Sequence, residues 1–106
     1  MKENLLNEEE IVRLARRGDQ EAFHRLVEEY SSLVERTVRV LVYDRADLED
    51  TVQEVWLDVW RGLRGFETGK PFRPWLLVIL ANRCRQRGRK TRLATVALDP
   101  ETVEEV

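Results

Sequence analysis

DRADLEDTVQEVWLDVWRGLRGF, residues 44–66, decides how this chain folds. Leu48, Val52, Val55, Trp56, Val59 and Leu63 recur at spacings of three and four, the period of one buried helical face. Asp44 stands where an N-cap belongs. Asp47, Glu49 and Asp50 follow in the first turn, where the helix dipole favours negative charge. Opposite the apolar face, Asp47, Asp50 and Glu54 share a ridge with Gln53 beside them. Gly62 and Gly65 bring the helix to a close.

The same pattern extends upstream. Asp19 can cap a helix of about six turns in which Ala22, Phe23, Leu26, Val27, Tyr30, Leu33, Val34, Thr37, Val38, Leu41 and Val42 keep the three-and-four spacing. Before it, Asn7 and Glu10 have the form of a capping box opening a short helix with Ile11, Leu14 and Ala15, which should end at Gly18. Downstream, FETGKP at 66–71 has no apolar period and carries Gly69, so it reads as a loop. Pro71 and Pro74 are tolerated in the first turn of the next helix, where backbone N–H groups lack partners anyway. That helix begins near Phe72 and runs through WLLVILANRCRQR, apolar first and polybasic later; Gly88 should weaken its end. These segments predict an all-α chain, a compact three- to four-helix bundle with one functional loop before its last helix. Residues 1–7 read as a tail, 8–92 as the folded domain and 93–106 as the start of an acidic linker.

Charge divides the molecule. Between residues 70 and 98 there are eight Lys or Arg residues and no Asp or Glu, although the whole chain holds 18 bases against 20 acids. Solvated helices usually interleave acids for i,i+4 pairing, as residues 8–61 do here, so the bias points to a polyanion facing the basic segment. The alternative is a solvated helix end whose cations suit the negative pole of the dipole. Phe66, Phe72 and Trp75 bracket the loop beside this segment, an arrangement suited to a single strand: stacking surfaces next to a positive track. Core packing is the competing role for Phe72 and Trp75, and the expected one for Trp56 and Trp60. The paired carboxylates of residues 47–54 have no nucleophile or metal ligand beside them, and lone Cys84 and lone His24 build no disulfide or zinc site. The sequence therefore predicts no enzyme, no cofactor, no metal and no small-molecule substrate. No apolar run approaches the length of a membrane span, and a cytoplasmic setting is expected.

DLEDTVQEVWLDVWRGLRGF followed by PFRPWLLVILANRCRQRGRK closely resembles region 2 of bacterial RNA polymerase sigma factors, in particular the extracytoplasmic-function (ECF) class, and DQEAFHRLVEEYSSLVERTVRVLV resembles the first helices of the same region. The resemblance implies a sigma region 2 fold over about residues 8–92. It implies that Asp47, Asp50, Gln53 and Glu54 contact the clamp helices of the polymerase β′ subunit. It also implies that the loop, with Phe66, Thr68 and Lys70, captures a base flipped from the non-template strand of the promoter −10 element. Phe72, Arg73, Trp75, Asn82, Arg83, Gln86, Arg87, Arg89 and Lys90 would then lie along the DNA, so that binding energy melts the duplex. An anti-sigma factor is a further implied partner.

The chain departs from the family pattern at Thr51, where an aliphatic residue is commoner, at the GKP of the loop, and at Gly88. No helix-turn-helix region 4 follows within these residues, and the expectation is a piece of a longer factor. Two rivals remain from other classes: a stand-alone helical interaction module, such as a polymerase or anti-sigma decoy, and a duplex-specific DNA binder.

Overall fold

The computed structural model describes residues 6–42 and 44–87. Among them are four α-helices, α1 (Glu8–Arg16), α2 (Gln20–Leu41), α3 (Ala46–Gly62) and α4 (Phe72–Arg87), with a 3₁₀ turn, Leu63–Gly65, after α3. The expected acidic linker, the fraying at Gly88 and the two cations Arg89 and Lys90 lie outside the described residues.

Local chemistry sets the helix starts. The Asn7 side chain accepts the Glu10 N–H at 2.8 Å while the Glu10 carboxylate accepts the Asn7 N–H at 3.1 Å, completing the capping box. Gly18 turns the chain at φ 101°, a left-handed conformation that costs a residue with a Cβ, and Asp19 then caps α2 by accepting the Ala22 N–H at 3.0 Å. Asp44 acts as expected, with its carboxylate taking the Ala46 N–H and its carbonyl the Asp47 N–H, both at 3.0 Å. The helix proper begins two residues later, at Ala46.

The predicted apolar stripes meet in a single core. Val12 and Ala15 of α1, Leu26, Val34 and Val38 of α2, Val55 and Val59 of α3, and Phe72, Leu76 and Leu80 of α4 are all buried in it. Full burial of an aliphatic side chain of this size stabilises by about 1.5–3 kcal/mol against exposure, so this shared face rather than helix propensity holds the bundle. Thr51 is the polar exception in the core. Its hydroxyl donates to the Asp47 carbonyl at 2.6 Å, one turn back, which lets it occupy an aliphatic position without an unmet hydrogen bond.

Gly62 lets α3 approach α4. A Cβ there would lie 3.3 Å from Trp75 Cζ2. Beyond it the loop is pinned at both ends by core aromatics, Phe66 and Phe72, whose rings meet edge to face with centroids 6.0 Å apart. Between these anchors Glu67, Gly69, Lys70 and Pro71 are exposed, and Gly69 makes the turn at φ 97°. No helix among the described residues is long and apolar enough to cross a membrane.

Candidate nucleic-acid and protein interfaces

At 100° per residue the polar ridge of α3 splits in two. Asp47, Glu54 and Asp58 lean to one side, toward α4, whereas Asp50, Gln53 and Leu57 point outward. Side-chain pairing follows that split. Arg83 of α4 grips Asp58 with both prongs of its guanidinium, Nε to Oδ2 at 2.8 Å and Nη2 to Oδ1 at 2.9 Å. One turn further on, Arg87 makes the same fork to Glu54, both bonds 3.0 Å, and adds Asp47 through Nη1 at 2.9 Å. The Glu54 carboxyl is held below its ordinary value, first by the Arg87 hydrogen bond, while burial opposes the shift. Arg83 is held more firmly protonated than usual, first by its bond to Asp58.

This seam engages four of the residues expected at the interfaces. Arg83 and Arg87 were expected on phosphates, and Asp47 and Glu54 on a protein partner; the structure joins Arg87 to both acids and Arg83 to Asp58. The physical reason is proximity: α3 and α4 pack side by side, and oppositely charged rows on their adjoining edges neutralise each other before any ligand arrives. Asp58 was missed by the sequence reading, because its role depends on which helices adjoin.

Asp50 and Gln53 remain exposed as expected. Between them on the outward face lies Leu57, half exposed at 50%, a second residue the sequence reading missed. An apolar side chain ringed by Asp50, Gln53 and Arg61 has the make-up of a small protein-docking face: a dry centre with a polar rim.

Phe66 and Phe72 take the core role rather than the stacking one, and Trp56 and Trp60 pack as expected. Phe66 and Phe72 are 4% and 1% exposed, and so offer no open faces for stacking. Trp75, half-buried, packs on both, at 4.9 Å from Phe66 and 5.6 Å from Phe72. Trp56 and Trp60 are likewise half-buried, edge-on to Phe23. Each of these rings packs against at least one other ring, which takes its area out of water.

What the loop does offer is a cavity of about 270 Å³ beside α1. Phe66 and Phe72, with Val12, are its buried lining residues; Thr68 and Lys70 line it from the loop, and Glu8 from α1. Four expected DNA contacts, Phe66, Thr68, Lys70 and Phe72, therefore come together around one opening. Lys70 is exposed and pairs with Glu67 at 3.4 Å. Arg73 and, further along α4, Asn82 and Gln86 are exposed as expected.

The described residues thus form an all-helical bundle with a cavity at the loop and, apart from it, an exposed face on α3. The chain belongs to the Sigma-70 region 2 family, whose model matches residues 26–93. It is 34% identical over 82 residues to the RNA polymerase sigma factor NccH of Alcaligenes xylosoxydans xylosoxydans, covering 77% of this chain and 44% of that protein. It is 31% identical over 104 residues to the ECF RNA polymerase sigma-E factor of Escherichia coli (strain K12), covering 93% of this chain and 54% of that one. The chain thus spans about half the length of these curated relatives. Among solved structures it resembles an engineered region 2 of sigmaE in complex with GTAAAA, with a TM-score of 0.72, 30% identity and coverage of 83% of this chain and 96% of that one. CnrH in complex with the cytosolic domain of CnrY is similar too, with a TM-score of 0.73, 28% identity and coverage of 92% and 62%. The family and its ECF members bear out the expected all-α region 2 fold, and the relatives are transcription initiation factors.

Proposed function

We propose that this domain acts in promoter opening, docking on the β′ clamp helices of RNA polymerase through the outward face of α3 and holding the unpaired non-template strand of the −10 element through the loop and α4. The observation that carries the DNA half is the cavity at the loop, with Lys70 lining it and the exposed Arg73 next to its lining residue Phe72. A base drawn out of the stack gains an apolar lining there, and its flanking phosphates gain cations, so melting is driven by binding with no covalent step. The solved complex of an engineered sigmaE region 2 with GTAAAA supports nucleic-acid binding by a domain of this fold.

Within this reading Lys70, Arg73, Asn82 and Gln86 meet the strand, and Thr68 lines the base cavity. Arg83 and Arg87 brace α4 against α3. Arg89 and Lys90 continue the basic track. On the other face Asp50, Gln53 and Leu57 make the polymerase contact, while Asp47 and Glu54 serve both the brace and the rim of that contact. The domain works in the cytoplasm, and a regulatory protein partner, an anti-sigma factor, covers these faces; the CnrH complex with a CnrY domain supports a protein partner of this kind.

Two titrations test the proposal. Binding of the domain to a β′ clamp-helix fragment should weaken at least about tenfold in Leu57→Ala plus Gln53→Ala, as expected when the apolar centre of a small interface and a polar neighbour are removed. Binding of a GTAAAA single strand should weaken with salt by roughly 0.7 log units per log unit for each phosphate contacted. Unchanged clamp affinity would contradict the docking face, and a flat salt response would contradict the DNA track.

The engagement of Arg83 and Arg87 inside the bundle favours one second reading, an interaction module that binds polymerase or an anti-sigma factor without promoter preference. It predicts clamp binding with no strand binding.

A further inference from the structure

The loop cavity has a wall that the loop does not supply. Glu8, in the first turn of α1, lines it opposite residues 68–71. This part of the chain precedes the residues matched by the family. The carboxylate is held from below: the Tyr30 hydroxyl of α2 donates to Glu8 Oε1, and the Tyr30 ring leans on Phe72 with centroids 5.3 Å apart. Burial, reinforced by Glu8 itself, raises the Tyr30 pKa, so the hydroxyl stays a donor throughout the physiological range. Glu8 Oε2 has no hydrogen-bond partner among the described residues. Its neighbour Glu9, which also lines the cavity, is by contrast tied to Arg13 at 3.0 Å.

We infer that Glu8 is a specificity-determining residue, selecting for the cavity a base that carries an exocyclic amino group where adenine has N6 and cytosine N4. The inference rests on the reading that the loop takes a base from a single strand. An ionised carboxylate only accepts hydrogen bonds, so it pairs with an amine and repels a carbonyl. Adenine and cytosine present the amine; guanine and thymine present O6 and O4 at the matching place. Glu8 is exposed, so a keto base loses the amine bond and meets an acceptor in its place without the full penalty of a buried group, a difference of about tenfold in affinity. At about 270 Å³ the space has room for one planar ring system. The positioning residue is Tyr30, which fixes one carboxylate oxygen and leaves the other for the ligand.

The test is a fluorescence titration of the GTAAAA strand in which each adenine in turn is replaced by purine lacking the 6-amino group, by cytosine or by thymine. With the wild-type domain, one position should lose about tenfold or more in affinity for the amine-free purine and for thymine, and little for cytosine. Glu8→Gln, nearly isosteric at an exposed helix start, can turn its amide to donate as well as accept. It should bring all four bases at that position within about threefold, with helicity unchanged by circular dichroism. Tyr30→Phe should fall between. Strands that bind with normal salt dependence but show no amine preference, or a preference that Glu8→Gln leaves intact, overturn the inference while the DNA-binding reading stands. Failure of every strand to bind overturns both.

Discussion

Removing the Arg83 guanidinium should show whether the seam between α3 and α4 holds the domain together or merely decorates it. Arg83→Ala deletes two short charge-assisted bonds to Asp58, and leaves a carboxylate that is only 23% exposed without its partner. Hydrogen bonds to charged groups contribute about 1.5–3 kcal/mol each when well buried. Here both side chains keep about a quarter of their surface in water, so the surviving carboxylate can rehydrate, and the discounted loss is about 1–2 kcal/mol. For a domain of this size that lowers Tm by roughly 4–8 °C per kcal/mol. A double-mutant cycle with Asp58→Ala, read by urea denaturation at 222 nm, isolates the pair, and a coupling near 1 kcal/mol is expected. Because the pair is partly shielded, about half of that coupling should survive 0.5 M salt. A coupling below about 0.3 kcal/mol would refute the brace. A second readout separates brace from ligand: Arg83→Ala should leave the salt slope of strand binding unchanged, and a drop of about 0.7 would mean that Arg83 leaves Asp58 for a phosphate.

The Glu54 carboxyl sits below its ordinary value of 4.5 in the folded state, so it favours folding when ionised; that contribution is present above about pH 5 and lost as pH falls toward the folded value. Stability measured from pH 6 to pH 3 should therefore decline less steeply in Glu54→Gln than in the wild type, and parallel curves would contradict the Arg87–Glu54 linkage. Burial pushes the Cys84 thiol up to about 12, so iodoacetamide at pH 8 should label it only as fast as the domain opens, with rapid labelling of the native fold as the contrary result. Thr51→Val keeps the buried shape and drops only a back-bond within the helix, so stability should change by less than about 1 kcal/mol, whereas a loss above about 2 kcal/mol would mean that the hydroxyl carries more than its one bond to Asp47. Gly69→Ala meets no neighbouring atom yet must adopt φ 97°, and should cost about 1–2 kcal/mol while weakening strand binding through a reshaped loop; unchanged stability would show the turn to be relaxed.

Most of the fold was legible because helix signals are local. Asn7 with Glu10, Asp19, Asp44 and the three-and-four spacing of residues 48–63 set starts, ends and buried faces before any tertiary contact is considered. The loop was legible for the same reason, from Gly69 and the lost period. The site was harder, because it depends on which edges adjoin. Nothing within the spacing of Arg83 or Arg87 says that Asp58 and Glu54 wait across the helix pair, 25 and 33 residues away. The basic run therefore read as wholly open to solvent, although part of it is already neutralised. Phe66 and Phe72 misled in the other direction: rings beside a loop look like stacking platforms, but two-sided contact with Trp75 and with each other takes them into the core. Glu8 and Tyr30, 22 residues apart, carry no local sign of sharing a cavity with the loop.

In the function proposed above, one small bundle carries two separate faces, the outward side of α3 for polymerase and the loop with α4 for a single strand. The most direct test is the affinity of the domain for the GTAAAA strand measured with and without a saturating β′ clamp-helix fragment. A ternary complex with strand affinity equal to or tighter than that of the free domain is the predicted result. Mutual exclusion, with the fragment displacing the strand, would place both ligands on one surface and contradict the account.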